Sequence, residues 1–482
     1  MTLKKSSYKM ILLVTLLSFF TGCSKEKYPI DKDNTLESKV MTSNVNYEVD
    51  ENGTKSKVVD YVITDRKILT LTFQGLGNKE SLTNLLDELD KFNIKATFFV
   101  SGVKVAEEPE LAKMVVNRGH EIGNATLSGI DLTNVNYTKK MTEIEKSHDI
   151  IEEYTGVSPR YVRPGHNKVD DEVMIAASQA GYEYIVNYGI NPQDWNGKTE
   201  DEIGEYIDKK KQRGGIVILS LDKNPNVYKS IESIFNKLSQ KSFDIVPLKE
   251  LISIYEEREE NKYVLPSDWY KQYENNESNE FRIINNGSRN EKKIVLTFDD
   301  WATDDTVDSI LDTLDEYNVK ATFFLRAKGV ETNPSLAYAI SERGHEIASH
   351  TYSHIDLDKM TLDEVKKDII KAHEVITNAI NKEPKKYLRP PRGIINEEIA
   401  KAASECGYKD IIMYGPSALD WKVENSASYI TNYMLRETYN GEILLLHILD
   451  DINTPEALPD ILSKLKARGY EFITVGEMIG DE

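Results

Sequence analysis

From residue 61 onward the chain alternates short apolar runs with stretches whose apolar residues recur at helical spacing. In the C-terminal half the runs are residues 294–298, 321–325, 411–414, 443–447 and 472–475. Between the first two, Val307, Ile310, Leu311 and Leu314 follow the i, i+3, i+4, i+7 pattern of an amphipathic helix. Strand, helix, strand repetition over about 190 residues predicts an α/β fold with a parallel sheet, open or closed into a barrel. In either form, reactive side chains belong at the C-terminal ends of strands.

The pattern occurs twice. Residues 69–129 align without a gap under residues 294–354 at an offset of 225, with 24 identities in 61 positions. The match includes Lys95-Ala96-Thr97-Phe98-Phe99 against Lys320-Ala321-Thr322-Phe323-Phe324, and Arg118-Gly119-His120-Glu121-Ile122 against Arg343-Gly344-His345-Glu346-Ile347. A repeat of this length is a duplicated domain, not a solenoid unit. The predicted layout is a leader over residues 1–23, a polar tether over 24–60, a first domain over 61–256, a linker over 257–288 and a second domain over 289–482.

At the N-terminus, Lys4, Lys5 and Lys9 precede an apolar run over residues 10–20, followed by Thr21-Gly22-Cys23, the order of a secretory signal. The run is too short to span a bilayer comfortably. Its ending resembles a lipobox, with Phe20 where an aliphatic residue is usual. That resemblance implies lipidation of Cys23, an anchored chain and an extracytoplasmic location. Cys406 is then the one remaining cysteine, so no intramolecular disulfide is available, and it reads as core packing beside Gly407. The formal net charge of −20 excludes tight non-specific nucleic-acid binding. The acid excess is greatest over residues 261–482, with 39 acidic and 26 basic groups.

Chemistry concentrates in the second copy. The strand over 294–298 runs into Asp299-Asp300, two carboxylates whose side chains a regular strand turns to opposite sides. One is available to a metal and the other to act as base. The alternative is a turn before a helix whose start Asp304 and Asp305 favour through the dipole. His350-Thr351-Tyr352-Ser353-His354 sets two imidazoles four residues apart, on one face if the segment is a helical turn. Two histidines and an aspartate leave open positions on a divalent cation, as a catalytic metal site requires. Arg389-Pro390-Pro391-Arg392-Gly393, Asp420-Trp421 and His447 each have a plain alternative, as surface charge, core and satisfied strand end.

Taken in order, Thr297-Phe298-Asp299-Asp300, His350 to His354, Arg389 to Gly393, Asp420-Trp421 and Leu446-His447 resemble the successive motifs of the NodB-like polysaccharide deacetylases, carbohydrate esterase family four. The resemblance covers about residues 289–482 and implies two tandem distorted (β/α) barrels with metal-dependent removal of acetyl groups from a glycan. By that similarity Asp300, His350 and His354 hold a divalent cation, usually zinc. Asp299 is the general base, Arg389 orients it, and His447 is the general acid. Trp421, Tyr352 and Arg392 would contact the sugar. Three positions depart from the family pattern: Trp301 replaces a glycine and would narrow the groove, Arg392 stands where an aromatic is common, and Ser417 falls where an aspartate often orients the acid histidine.

In the first copy the positions of Asp299, Asp300, His350, His354 and His447 carry Gln74, Gly75, Ala125, Gly129 and Ser220, while Arg163, Asp194 and Trp195 persist. The expectation is a barrel without catalysis that packs against the second domain or grips glycan. For the whole chain it is a lipid-anchored deacetylase of cell-wall peptidoglycan. The other readings are an exopolysaccharide or chitin-oligosaccharide deacetylase, or a non-catalytic glycan-binding lipoprotein.

Overall fold

The computed structural model describes residues 47–50, 53–274 and 280–481. The leader, Cys23 and residues 24–46 of the tether lie outside the described residues. Two all-parallel sheets of eight strands are formed. The first contains β1 (Lys57–Val59), β2 (Ile68–Gln74), β3 (Thr97–Val100), β4 (Glu121–Asn124), β5 (Tyr161–Val162), β6 (Tyr184–Val186), β7 (Gly215–Ser220) and β8 (Asp244–Ile245). The second contains β9 (Arg282–Ile284), β10 (Lys293–Asp300), β11 (Thr322–Leu325), β12 (Glu346–Ser349), β13 (Tyr387–Leu388), β14 (Asp410–Ile412), β15 (Ile443–Ile448) and β16 (Glu471–Ile473).

The strand orders are β1-β6-β5-β4-β3-β2-β7 and β15-β10-β11-β12-β13-β14-β9, with β8 and β16 appended to β2 and β10. Each sheet curls toward closure. In the second, the chain beyond β14 reaches β15 through a parallel bridge at Ser417 and Leu445, and Asn286 bridges Glu442. These are tandem distorted (β/α) barrels, as the sequence predicts.

Two boundaries differ from the sequence expectation. β1 lies within the stretch read as tether and pairs with β6. β9 lies within the stretch read as linker and pairs with β14. Both are three-residue strands at the ends of their sheet paths, with polar neighbours, and carry no apolar run for a sequence pattern to register.

Helices pack outside each sheet. Asp304–Glu316 buries Val307, Ile310, Leu311 and Leu314, the four residues of the predicted stripe. Leu362–Ile380 starts with a capping box between Thr361 and Glu364. Cys406 is buried among Leu388, Ala403 and Tyr408, and burial pushes its thiol up to about 12.

The two barrels pack against each other through charge as well as shape. Arg213 of the first barrel, buried, pairs with Asp304 and Asp308 at the start of the Asp304–Glu316 helix. Around it Lys67 reaches Asp308 at 3.0 Å, while Lys211 and Lys241 reach Asp305 at 3.0 and 3.1 Å. Arg258 donates to the carbonyls of Asn378 and Ala379, both at 2.8 Å. The acid excess of the second half is thus partly matched by basic groups of the first.

Candidate active site

β10 carries the centre of the site. Asp299 and Asp300 end the strand, and both line one cleft of about 550 Å³ at the C-terminal end of the sheet. A regular strand would send them to opposite sides. Asp300 instead adopts φ 81°, in the left-handed region, and that turn brings the second carboxylate into the same cleft.

The histidines come from the segment after β12. Residues 350–354 form no helical turn: Thr351 and His354 have φ of 65° and 61°. A loop, not a helix face, brings the two imidazoles together, with ring centroids 4.9 Å apart. Asp368 holds that loop by accepting from the backbone N–H of Tyr352 at 2.7 Å and of Ser353 at 3.1 Å.

Ligand atoms of Asp300, His350 and His354 all lie within 4.8 Å of one another. His350 bonds the Arg389 carbonyl through Nδ1 at 2.7 Å, which leaves Nε2 directed to the cleft, the arrangement metal-binding histidines commonly show. His354 Nε2 lies 3.6 Å from Asp300 Oδ1. Burial, then the neighbouring His350, lowers the His354 pKa to about 4, keeping the ring neutral and its lone pair free at neutral pH. One carboxylate and two imidazoles fit a divalent cation with open positions.

Asp299 is buried beside this donor set. Its Oδ1 accepts from the Arg389 guanidinium at 2.8 Å, and its Oδ2 lies 3.8 Å from His350 Nε2. Arg389, fully buried, also donates to Thr297 Oγ1 at 2.7 Å and to the carbonyls of Ile412 and Met413 at 3.2 and 3.1 Å. The Phe324 ring lies 4.0 Å from the guanidinium. Four contacts therefore fix the group that fixes Asp299.

His447, on β15, faces the same cleft. Asp420 accepts from its Nδ1 at 2.8 Å and from its backbone N–H at 2.7 Å, and also takes the Thr454 hydroxyl at 2.7 Å. Burial opposes charging of His447. The hydrogen bond to Asp420 and the charges of Asp420, Asp299 and Asp300 outweigh it and raise the imidazole pKa. Burial likewise pushes Asp420 up, and the His447 contacts more than reverse it, leaving the carboxyl lowered.

The structure corrects several expectations. Ser417 does not leave His447 without an orienting carboxylate, because Asp420 fills that role from three residues further on. Trp301 does not narrow the groove. Its ring packs in the core against Gly329, where an added Cβ would fall 2.3 Å from the indole, and it borders a different cleft. Tyr352 does not line the site: its hydroxyl donates to Glu331 at 2.7 Å and Lys371 lies 3.7 Å from its ring. Helical contacts outside the cleft claim it, since the loop turns its side chain away from the histidines.

Arg392 does line the cleft, at φ 55°, paired with Asp356. Trp421 lines it with 48% of its surface exposed. Leu419, Leu445 and Tyr414 also line the cleft and escaped the sequence reading, because an apolar wall made from three separate segments leaves no local signature.

Fold and donor set together define a tandem (β/α)-barrel protein with one equipped and one unequipped site. It belongs to the polysaccharide deacetylase family, whose sequence profile matches residues 62–185 and again 286–411, together more than half of the chain. Among curated relatives, a peptidoglycan-N-acetylglucosamine deacetylase, PgdA of Listeria monocytogenes, is 35% identical over 195 residues. That segment is 40% of this chain and 40% of the relative. The peptidoglycan-N-acetylmuramic acid deacetylase PdaA of Bacillus subtilis is 32% identical over 195 residues, 40% of this chain and 73% of the relative. A solved structure of Bacillus subtilis PdaA, described as a family 4 carbohydrate esterase, is 30% identical, covering 42% of this chain and 87% of that chain with a TM-score of 0.39.

Proposed function

We propose that the protein is an extracytoplasmic deacetylase that removes N-acetyl groups from a cell-wall glycan, peptidoglycan above others, through its second barrel. The observation that carries the reading is one cleft in which the Asp300, His350 and His354 donor set meets a carboxylate held by Arg389 and an imidazole held by Asp420. Relatives named for deacetylation of both peptidoglycan sugars support the substrate class.

Asp300, His350 and His354 would hold a divalent cation, zinc by the nature of the donors, which when bound would supply Lewis-acid polarisation of the acetyl carbonyl and a lowered pKa for water. Asp299, anchored through Oδ1, accepts a proton from the attacking water. His447 in its protonated form gives a proton to the sugar nitrogen as the C–N bond breaks, so acetate departs and a free amine remains. Trp421 offers a flat, half-exposed wall to the sugar face. The first barrel, with Gln74, Gly75, Ala125, Gly129 and Ser220 at the corresponding positions, takes no part in hydrolysis.

Attachment follows from the leader. Lipid on Cys23 holds the enzyme at the outer membrane face; loss of residues 1–22, with Lys4, Lys5 and Lys9, takes the net charge from −20 to −23, which disfavours electrostatic capture by anionic wall polymers. The test is acetate release by the full chain with zinc from peptidoglycan, an acetylated exopolysaccharide and chitooligosaccharides. Release from peptidoglycan is expected. No release from any of the three, with metal bound, would overturn the reading in favour of a glycan-binding lipoprotein. Palmitate labelling that persists in Cys23→Ser would remove the anchor.

A further inference from the structure

The two barrels hold the same arginine in the same socket, and only one of them gives it a counter-ion. Arg163 donates to the carbonyls of Val186 and Asn187 at 2.8 and 3.0 Å and to Thr72 Oγ1 at 3.0 Å. These repeat the Arg389 contacts to Ile412, Met413 and Thr297. The fourth partner is gone: Gln74 stands where Asp299 stands, and among the described residues no carboxylate lies within ion-pair distance of Arg163. The side chain is 2% exposed, with the Phe99 ring 3.8 Å from the guanidinium. Burial pulls its pKa down to about 9. A buried cation without its partner is destabilising, and an anion that reaches it relieves that cost.

That cation opens on a cavity. The first barrel has a cleft of about 310 Å³ in which Arg163 itself is part of the wall, whereas in the second barrel Asp299 takes that place. Trp195 forms another wall, with the Lys223 ammonium 4.6 Å from its ring. Asn167 contributes an amide whose Oδ1 is buried and without a hydrogen-bond partner. Asp222 also lines the cleft, committed to the Gly77 N–H at 2.9 Å and standing over Gly75. Its charge and that of Lys223 offset each other, so Arg163 supplies the net positive charge and an entering anion belongs on its side.

We propose that the first barrel's cleft is a receptor for the carboxylate of an acidic sugar, with Arg163 as the anion-binding group and Trp195 as the flat wall against the ring. Guanidinium recognises a carboxylate by paired N–H donors, and an aromatic face beside it suits a pyranose. The assignment rests on the reading of this chain as a glycan-acting protein. A lactyl ether of the muramic type and a uronic acid both supply the required carboxylate.

Calorimetric titration of the full, metal-free chain with N-acetylmuramic acid, glucuronic acid and N-acetylglucosamine tests it. At least one acid is expected to bind about tenfold more tightly than the neutral sugar, the worth of one charge-assisted contact. Which acid does so identifies the source of the carboxylate. Gln74→Asp restores the internal counter-ion and is expected to abolish that preference while raising Tm, so the result does not depend on a variant that fails to fold. Arg163→Gln is expected to lose it as well. Equal binding of acids and neutral sugar to the wild type, or a preference that survives Gln74→Asp, would overturn the proposal. Acetate release with zinc is expected unchanged in Gln74→Asp. If no preparation releases acetate while the acid preference stands, the deacetylase reading fails and this one does not.

Discussion

Asp420 accepts two hydrogen bonds from His447, one from the ring Nδ1 at 2.8 Å and one from the backbone N–H at 2.7 Å. The pair fixes which imidazole nitrogen faces the cleft, because Nδ1 is committed and Nε2 is left for the leaving amine. It also stabilises the imidazolium, the form a general acid needs.

Asp420→Asn should therefore lower kcat/KM about 10²-fold, the usual worth of a positioned acid. It should also move the basic limb of the pH-rate profile to lower pH, since His447 loses the charge that raises its pKa. The stability sign is the same. The His447 pKa lies above its ordinary 6.5 and that of Asp420 below 3.8, so the pair stabilises fully between those values. That stability is lost as pH rises through the His447 value or falls through that of Asp420. An unmoved basic limb in Asp420→Asn would show that another group is the acid.

Much of this site is legible in the sequence because the chemistry sits on strand ends. Asp299 and Asp300 close an apolar run, and His447 lies in another. What the sequence could not supply was backbone handedness and long-range pairing. The left-handed turn at Asp300 and the loop from His350 to His354 replace the regular strand and helix geometries that spacing suggests. Asp420 is conspicuous beside Trp421, yet its bond to a residue 27 positions on is a fact of the barrel. Asp304 and Asp305 read as dipole-favouring helix starters, and they do begin the Asp304–Glu316 helix, but their ion-pair partners lie in the other domain.

Arg213 is the test of that coupling. It is buried with Asp304 and Asp308, and removing one partner leaves uncompensated charge. Arg213→Met should cost about 3–5 kcal/mol and separate the melting of the two barrels into two calorimetric transitions. A single transition at the wild-type Tm would show that other contacts carry the interface.

Trp421 and Tyr352 make a matched pair of substitutions. Trp421 is half exposed on the cleft, so Trp421→Ala should raise KM for polymeric substrate about tenfold while changing stability by less than about 0.5 kcal/mol. Tyr352→Phe removes only the hydroxyl bonded to Glu331, outside the cleft, and should leave KM and kcat within about twofold of wild type. A large KM effect of Tyr352→Phe would return that residue to the substrate groove.

The metal donors and the groups that support them are separable. His350 is held by the Arg389 carbonyl and the loop of His354 by Asp368, with protein groups alone supplying these contacts. The pocket should then keep its shape when metal is stripped, and chelation should abolish acetate release reversibly. Zinc at 100 times its Kd should stabilise the chain by about 2.7 kcal/mol, seen as a rise in Tm. His350→Ala should abolish both that rise and acetate release. Arg389→Met leaves all three donors in place but deprives Asp299 of its partner. It should keep a zinc-dependent rise from a lower starting Tm, with kcat reduced about 10²-fold. A zinc response that survives His350→Ala would show that the cation sits on other residues.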